Sequence, residues 1–182
     1  MRKFLFSVME VAEVALVTIG TVFLVRYFLV QPFLVSGSSM VPNFHNGDYL
    51  LVDELTYRFR EPIRGEVAVF HYPNNETTYF IKRIIGLPGD RIVVKEGVVY
   101  VYNKENPDGF RLDEKYLPSS TKTVGSDDVT LGEGEYFVLG DNRQYSFDSR
   151  NWGVLKKDEI VGVARLRLWP ISSAQAFSAP QY

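Results

Sequence analysis

The apolar positions of this chain fall into two regimes. Between Phe4 and Val35 they run with few interruptions, and beyond Asn46 they recur in short alternating bursts. The first regime holds Val14-Ala15-Leu16-Val17-Thr18-Ile19-Gly20-Thr21-Val22-Phe23-Leu24-Val25, then Arg26, then Tyr27-Phe28-Leu29-Val30. Such a run predicts a helix. Its uncharged stretch is shorter than the ~20 residues that usually span a bilayer. Glu10, Glu13 and Arg26 must therefore sit at the interfaces or snorkel to them. Three readings fit. The first is a membrane anchor over 13–30 behind a short cytoplasmic N-terminus over 1–12. The second is a cleaved signal peptide with Arg2 and Lys3 as its basic start. The third is an amphipathic helix lying on a surface. The anchor is favoured, because no clear small-x-small cleavage site follows the run before Ser39. Arg2 and Lys3 suit a cytoplasmic start, with the remaining domain on the outer side of the cell membrane. Arg26 pulls against that orientation.

The second regime predicts a mainly β domain over 31–169. Asn46-Gly47 is a turn signal ahead of a strand at Tyr49–Val52. Asp53 to Arg64 reads as a loop or short helical turn. Val67–Tyr72 and Thr77–Ile85 read as a hairpin, and Arg91–Lys95 with Val98–Tyr102 as a second one around Glu96-Gly97. Tyr136–Leu139 is a buried-type strand, and Ile160–Trp169 closes the sheet. Asn103 to Gly134 is polar and aperiodic, so 91–134 reads as a small inserted subdomain. The tail over 170–182 is small and polar and is expected to fray. Ala174-Gln175-Ala176 within it is a small-x-small pattern with no role assigned. Trp152 and Trp169 are read as core, with a membrane-interface position as the alternative.

Composition narrows the chemistry. A formal net charge of −2 gives no basic patch for nucleic acid. The absence of cysteine excludes thiol catalysis and disulfides. Two histidines, His45 and His71, leave no metal site in prospect and no persuasive Ser–His–Asp arrangement. No cofactor is expected.

Three stretches carry candidate chemistry. Ser36-Gly37-Ser38-Ser39-Met40-Val41-Pro42-Asn43-Phe44 packs small residues, hydroxyls and a proline together. It fits a serine nucleophile on a rigid kink, and equally a plain loop. Strand alternation puts Lys82 on the face of Phe80 and Ile84, with Ile81 and Arg83 opposite. A lysine on an apolar face is either an edge lysine that snorkels out or a desolvated amine able to act as a base. Gly140-Asp141-Asn142-Arg143 with Ser146-Phe147-Asp148-Ser149-Arg150 is dense in hydrogen-bonding groups, as a site or as a turn cluster would be.

In this order, the stretches resemble the bacterial type I signal peptidases (leader peptidases), and the likeness covers the chain from the anchor to about Trp169. It is carried by Ser39-Met40-Val41-Pro42, by Tyr49 to Phe59, by Arg64 to Phe70, and by Ile81-Lys82-Arg83-Ile84-Ile85-Gly86-Leu87-Pro88-Gly89-Asp90. Gly140 to Arg143, Ser146 to Arg150 and Trp152-Gly153 complete it. The resemblance implies a coiled β-sheet core of the signal peptidase/LexA type. It implies a serine endopeptidase that removes signal peptides from secreted preproteins, cutting after small residues (Ala-x-Ala). Ser39 would be the nucleophile and Lys82 its base. Ser146 would hydrogen-bond the Lys82 amine. Asp148 with Arg150, and Asp141 with Arg83, would be structural pairs. The Ser39 backbone N–H, helped by Ser38, would form the oxyanion hole. Phe33, Val35, Met40 and Ile81 would line shallow pockets for the substrate. The lipid bilayer would be a partner, and no metal is implied. Gly37 matches the single-anchor branch, whereas Gln144-Tyr145 departs from the usual Asp-Asn. Two rivals remain. A LexA-type self-cleaving repressor would need a DNA-binding domain where the apolar run lies. A membrane-anchored β-domain that binds peptides without catalysis would not need Ser39 or Lys82.

Overall fold

The computed structural model describes residues 2–28, 30–180 and 182, and the side chains of all of these except 2–8, 23–28 and 30. Met1, Leu29 and Gln181 lie outside the described residues. So does the expected placement of the Arg2, Lys3 and Arg26 side chains at membrane interfaces. Helix α1, Arg2–Phe28, forms as the apolar run predicts. The spanning anchor expected over 13–30 is not supported. Among the described residues no helix is long and apolar enough to cross a membrane. Glu10 and Glu13 flank the apolar stretch on one side, and Gly20, Thr18 and Thr21 dilute it. The two threonine hydroxyls donate to the carbonyls of Val14 and Val17, one turn earlier.

Strands β1 (Val30–Leu34) and β2 (Tyr49–Asp53) follow, then a single helical turn α2 (Thr56–Phe59), and the hairpin β3 (Val67–Tyr72) with β4 (Asn75–Gly86). A second hairpin, β5 (Arg91–Lys95) and β6 (Val98–Tyr102), is extended by β7 (Phe110–Arg111) and β8 (Asp127–Thr130). The chain returns through β9 (Glu135–Leu139), a turn of helix α3 (Ser149–Trp152), β10 (Leu155–Lys156), β11 (Ile160–Trp169) and β12 (Gln175–Ala176). The main sheet has the order β1-β2-β11-β3-β4-β9-β10, and the smaller sheet β7-β6-β5-β8. All pairings are antiparallel. The polar stretch from Asn103 to Gly134 forms two short strands, β7 and β8.

Alternation in β4 distributes its side chains among three apolar clusters. Phe80 and Ile84 join Ala68, Phe70, Tyr136, Val138 and Leu155. Ile81 packs on the opposite face, against Val35, Met40, Phe44, Leu50, Val67 and Ala164. Ile85, beyond a register shift opposite β9, enters the core between the two sheets with Ile92, Val101 and Phe137. Trp152 packs against Phe70, ring centroids 5.9 Å apart, whereas Trp169 is exposed.

The tail is not frayed. Strand β12 pairs with Leu166 and Arg167 of β11, on the edge that β3 vacates after Val163. Phe177 then packs its ring 4.5 Å from that of Phe44, and its N–H donates to the Arg165 carbonyl. A small, polar composition concealed this, because one aromatic anchor and a vacant strand edge suffice to hold a short segment.

Candidate active site

Ser39 begins a tight turn between β1 and β2. The Val41 N–H donates to the Ser38 carbonyl, and the Asn43 and Phe44 N–H groups donate to the Met40 carbonyl. The turn is seated by Phe44 and Met40, both fully buried. Its approach is pinned where the Gly37 N–H donates to Asn46 Oδ1 at 3.0 Å. The loop after β9 clasps it from outside: the Asn142 N–H donates to the Ser39 carbonyl at 3.0 Å, and Asn142 Nδ2 to the Ser38 carbonyl at 3.1 Å. Among the described residues the Ser39 N–H donates to no other group, which leaves it available to an incoming oxyanion.

Strand β4 delivers Lys82 to this turn. Its Nζ lies 2.8 Å from Ser39 Oγ and 2.9 Å from the Ile81 carbonyl, and 5.0 Å from the centre of the Phe80 ring. The side chain is 3% exposed. Burial pushes the amine down to about 8, against the opposing pull of Asp148 and Asp141. In the ammonium form an N–H donates to Ser39 Oγ. In the neutral form the same separation lets the hydroxyl donate its proton to the amine.

The supporting residues are built into the fold. Arg83, pointing away from Lys82, holds Asp141 through two bonds: Nε to Oδ1 at 2.8 Å and Nη2 to Oδ2 at 2.7 Å. Asn43 Nδ2 donates to the same carboxylate at 2.8 Å, so this pair ties the Ser39 turn to β4. Asp148 caps α3, accepts the Gly140 N–H at 3.0 Å, and is paired with Arg150 at 2.7 Å. Arg143, buried and given no role from sequence, donates to the Gly140 carbonyl, Thr123 Oγ1 and the Tyr116 hydroxyl. It joins this loop to the segment around 116–123. Neither its role nor that of Asn142 shows locally in the sequence beyond the density of polar groups.

Two expectations need correction. The Ser146 hydroxyl does not bond Lys82; it is buried without any hydrogen-bond partner. The amine instead bonds Ser39 Oγ and the Ile81 carbonyl. Met40 does not line the substrate cleft. At 1% exposure it sits beneath the turn, where the Asp141 N–H points at its sulfur, because the turn after Ser39 rotates this side chain inward.

Gly140 explains how closely these parts approach. A Cβ there would lie 2.1 Å from Ser146 Oγ and 2.4 Å from the Ser39 carbonyl oxygen. Gly140→Ala must displace the Ser39 backbone, and the expected loss in kcat is about 10²-fold, the order caused by misplacement of about 1 Å. Steady-state kinetics beside a thermal melt that shows a folded protein checks this.

Ser39 and Lys82 sit in a cleft of ≈310 Å³. Phe33, Val35 and Ile81 line it, and so do Ser38 and Gly37. The sequence reading missed Tyr79, Tyr145 and Phe147 on its walls. Tyr145 is 77% exposed and Phe147 51%. Tyr145 stands at the Gln144-Tyr145 departure, so that departure puts an aromatic ring at the cleft. Among the described residues no cluster of His, Asp or Glu could hold a metal ion.

Comparison with known proteins points the same way. The model of the family described as signal peptidase, peptidase S26, matches residues 8–169. A probable signal peptidase I-2 of Synechocystis sp. is 38% identical over 152 residues, covering 81% of this chain and 66% of that protein. Signal peptidase I P of Bacillus subtilis subsp. natto is 35% identical over 175 residues, 91% of each chain. Signal peptidase IB of Staphylococcus aureus is 34% identical over 167 residues, 82% of this chain and 83% of that one.

Proposed function

The chain belongs to the signal peptidase family, peptidase S26, and we propose that it removes signal peptides from secreted preproteins with Ser39 as nucleophile and Lys82 as its general base. The observation that carries this reading is the 2.8 Å approach of a buried amine to a serine hydroxyl on the floor of an apolar cleft. A serine hydroxyl is a weak nucleophile until a base takes its proton. The neutral Lys82 amine takes it as Ser39 Oγ attacks the scissile carbonyl. The Ser39 N–H, with Ser38 at the cleft, stabilises the resulting oxyanion. Lys82 then gives the proton to the departing amine, and water hydrolyses the acyl-enzyme by the reverse sequence. An extended substrate segment lies beside β1 and β4, adding main-chain bonds to strand edges. Walls formed by Phe33, Val35 and Ile81 leave room for alanine at −1 and −3 and exclude larger side chains.

The pH dependence tests this chemistry. Lys82 acts only when neutral, so kcat/KM for a peptide with an Ala-x-Ala site is expected to rise through a limb near 8. It falls about tenfold per pH unit below that. A limb near 6.5, the ordinary range of histidine, or no limb between 6 and 10, would contradict Lys82 as the base.

We place the enzyme at the outer face of the cell membrane, with α1 as its attachment and its N-terminus cytoplasmic. Two features support this. Val11, Val14, Leu16, Val17 and Ile19 of α1 are exposed. Leu34, Tyr49 and Trp169, neighbours in register across β1, β2 and β11, form an exposed apolar strip at one end of the sheet. Co-flotation of the intact chain with lipid vesicles checks the attachment; recovery in the lipid-free fraction would contradict it.

A further inference from the structure

Two aromatic residues of the cleft take no part in the proton transfers. Tyr145 and Phe147 are exposed, yet both line the cleft that holds Ser39 and Lys82. Their backbone is fixed on either side. The Tyr145 N–H donates to the Asn142 carbonyl at 3.1 Å, and the Asn142 N–H in turn holds the Ser39 carbonyl. Between the two rings the Ser146 hydroxyl is turned inward and buried. After them Asp148 is fully buried as the cap of α3. A ring that a fixed backbone holds out over a cleft adds little to the core and is free to meet a ligand.

The place of the pair relative to Lys82 decides which part of a substrate it meets. The two faces of β4 give the cleft two walls. Tyr79 and Ile81 share one wall with Phe33. The Phe33 and Tyr79 ring centroids lie 5.3 Å apart, and Ile81 packs on the cluster of Val35 and Leu50. Phe80 and Lys82 share the other wall. Lys82 Nζ lies 5.0 Å from the centre of the Phe80 ring, Tyr72 stacks on Phe80 at 4.8 Å, and Phe147 meets Tyr72 at 6.1 Å. Phe147 therefore stands on the face from which the amine reaches Ser39. The amine that takes the Ser39 proton delivers it to the departing nitrogen, so the leaving segment passes over this face. The acyl side of the substrate is left to the opposite wall, of Phe33, Val35 and Ile81.

We propose that Tyr145 and Phe147 form a leaving-side subsite. It binds an apolar or aromatic side chain on the first residue after the cut, and so selects among preproteins by the start of the mature chain. The inference rests on the proposed peptidase activity. Two exposed rings offer apolar area that a bound side chain removes from water, and a third ring can meet them edge-on or offset.

The test uses the intact enzyme and three peptides that share an Ala-x-Ala site and differ only in the residue after it: Phe, Leu or Gly. Wild type is expected to show about tenfold higher kcat/KM for Phe and Leu than for Gly, the low end of what one apolar contact contributes to discrimination. In the double variant Tyr145→Ala with Phe147→Ala this preference should fall to about twofold or less, whereas Tyr145→Phe should keep it, because the ring and not the hydroxyl makes the contact. The discrimination between Ala and Leu at −1 belongs to the opposite wall and should stay as in wild type. Thermal melts show that the variants are folded. Equal kcat/KM for the three peptides with wild type, or a preference that survives in the double variant, would overturn the subsite and leave the peptidase reading standing. Loss of both discriminations together would also overturn it, since that marks a general distortion of the cleft. No cleavage of any peptide by folded wild type would remove the subsite and the peptidase reading alike.

Discussion

Lys82→Met is expected to lower kcat/KM toward a signal-peptide substrate by about 10³-fold, within the range that a positioned general base contributes, while leaving the protein as stable as wild type or more so. The two effects have separate causes. Lys82 Nζ lies beside Ser39 Oγ, and without it Ser39 has no proton acceptor within hydrogen-bond reach among the described residues. The lysine side chain also sits 3% exposed between Phe80 and Ile84. Burial disfavours its charged form, as the depressed pKa of about 8 records. Methionine fills a similar volume and carries no charge to desolvate. Lys82→Arg gives the complementary case: a guanidinium stays protonated at any working pH and cannot accept a proton, so activity is lost with the charge retained. Urea denaturation beside initial-rate kinetics separates the two quantities. If activity and stability collapsed together, Lys82 would be a structural residue and the dyad would be wrong.

Asp141→Ala is expected to cost about 3–5 kcal/mol of folding stability, the usual consequence of leaving a buried charge without its partner. Arg83 and Asp141 are both buried, at 6% and 1% exposure. The carboxylate also receives Asn43 Nδ2, so its removal leaves three N–H donors without this acceptor beside the Ser39 turn. The double variant Arg83→Met with Asp141→Leu is expected to recover part of the loss, since both charges are then gone. It should not recover activity, because Asn43 and the Gly65 carbonyl have each lost a partner that fixed the turn. Chemical denaturation of the three variants checks the order. A single Asp141→Ala within about 1 kcal/mol of wild type, the range of an exposed pair, would show that the ion pair is not the link described.

The parts of this site that a sequence exposes are those whose signal is local. Alternation in β4 put Lys82 with Phe80 and Ile84 and turned Arg83 the other way, and the observed packing has that arrangement. The order of the Ser39, Lys82 and Gly140–Arg150 stretches carried the family resemblance, and the family match spans them. What stayed hidden depends on contacts between distant segments. Met40 is one residue from Ser39, yet the turn directs it into the core with Phe44 and Leu50. Asn142 clasps Ser39 across about a hundred positions, which no periodicity announces. The ordering of the tail depends on Phe44 and on a strand edge left open by β3. The expected bond from Ser146 to Lys82 came from the resemblance rather than from packing, and the amine makes other bonds. For α1, hydropathy predicted the helix correctly, but the stretch is too short and too diluted to support a span among the described residues.

Cleavage of a preprotein through Ser39 is tested by incubating a preprotein carrying one Ala-x-Ala site with wild type and with Ser39→Ala, both shown to be folded, and sequencing the new N-terminus. A single cut after the second alanine by wild type, and none by Ser39→Ala, is the expected result. Cleavage by Ser39→Ala at the wild-type rate, or no cleavage by a folded, lipid-bound wild type, would contradict it.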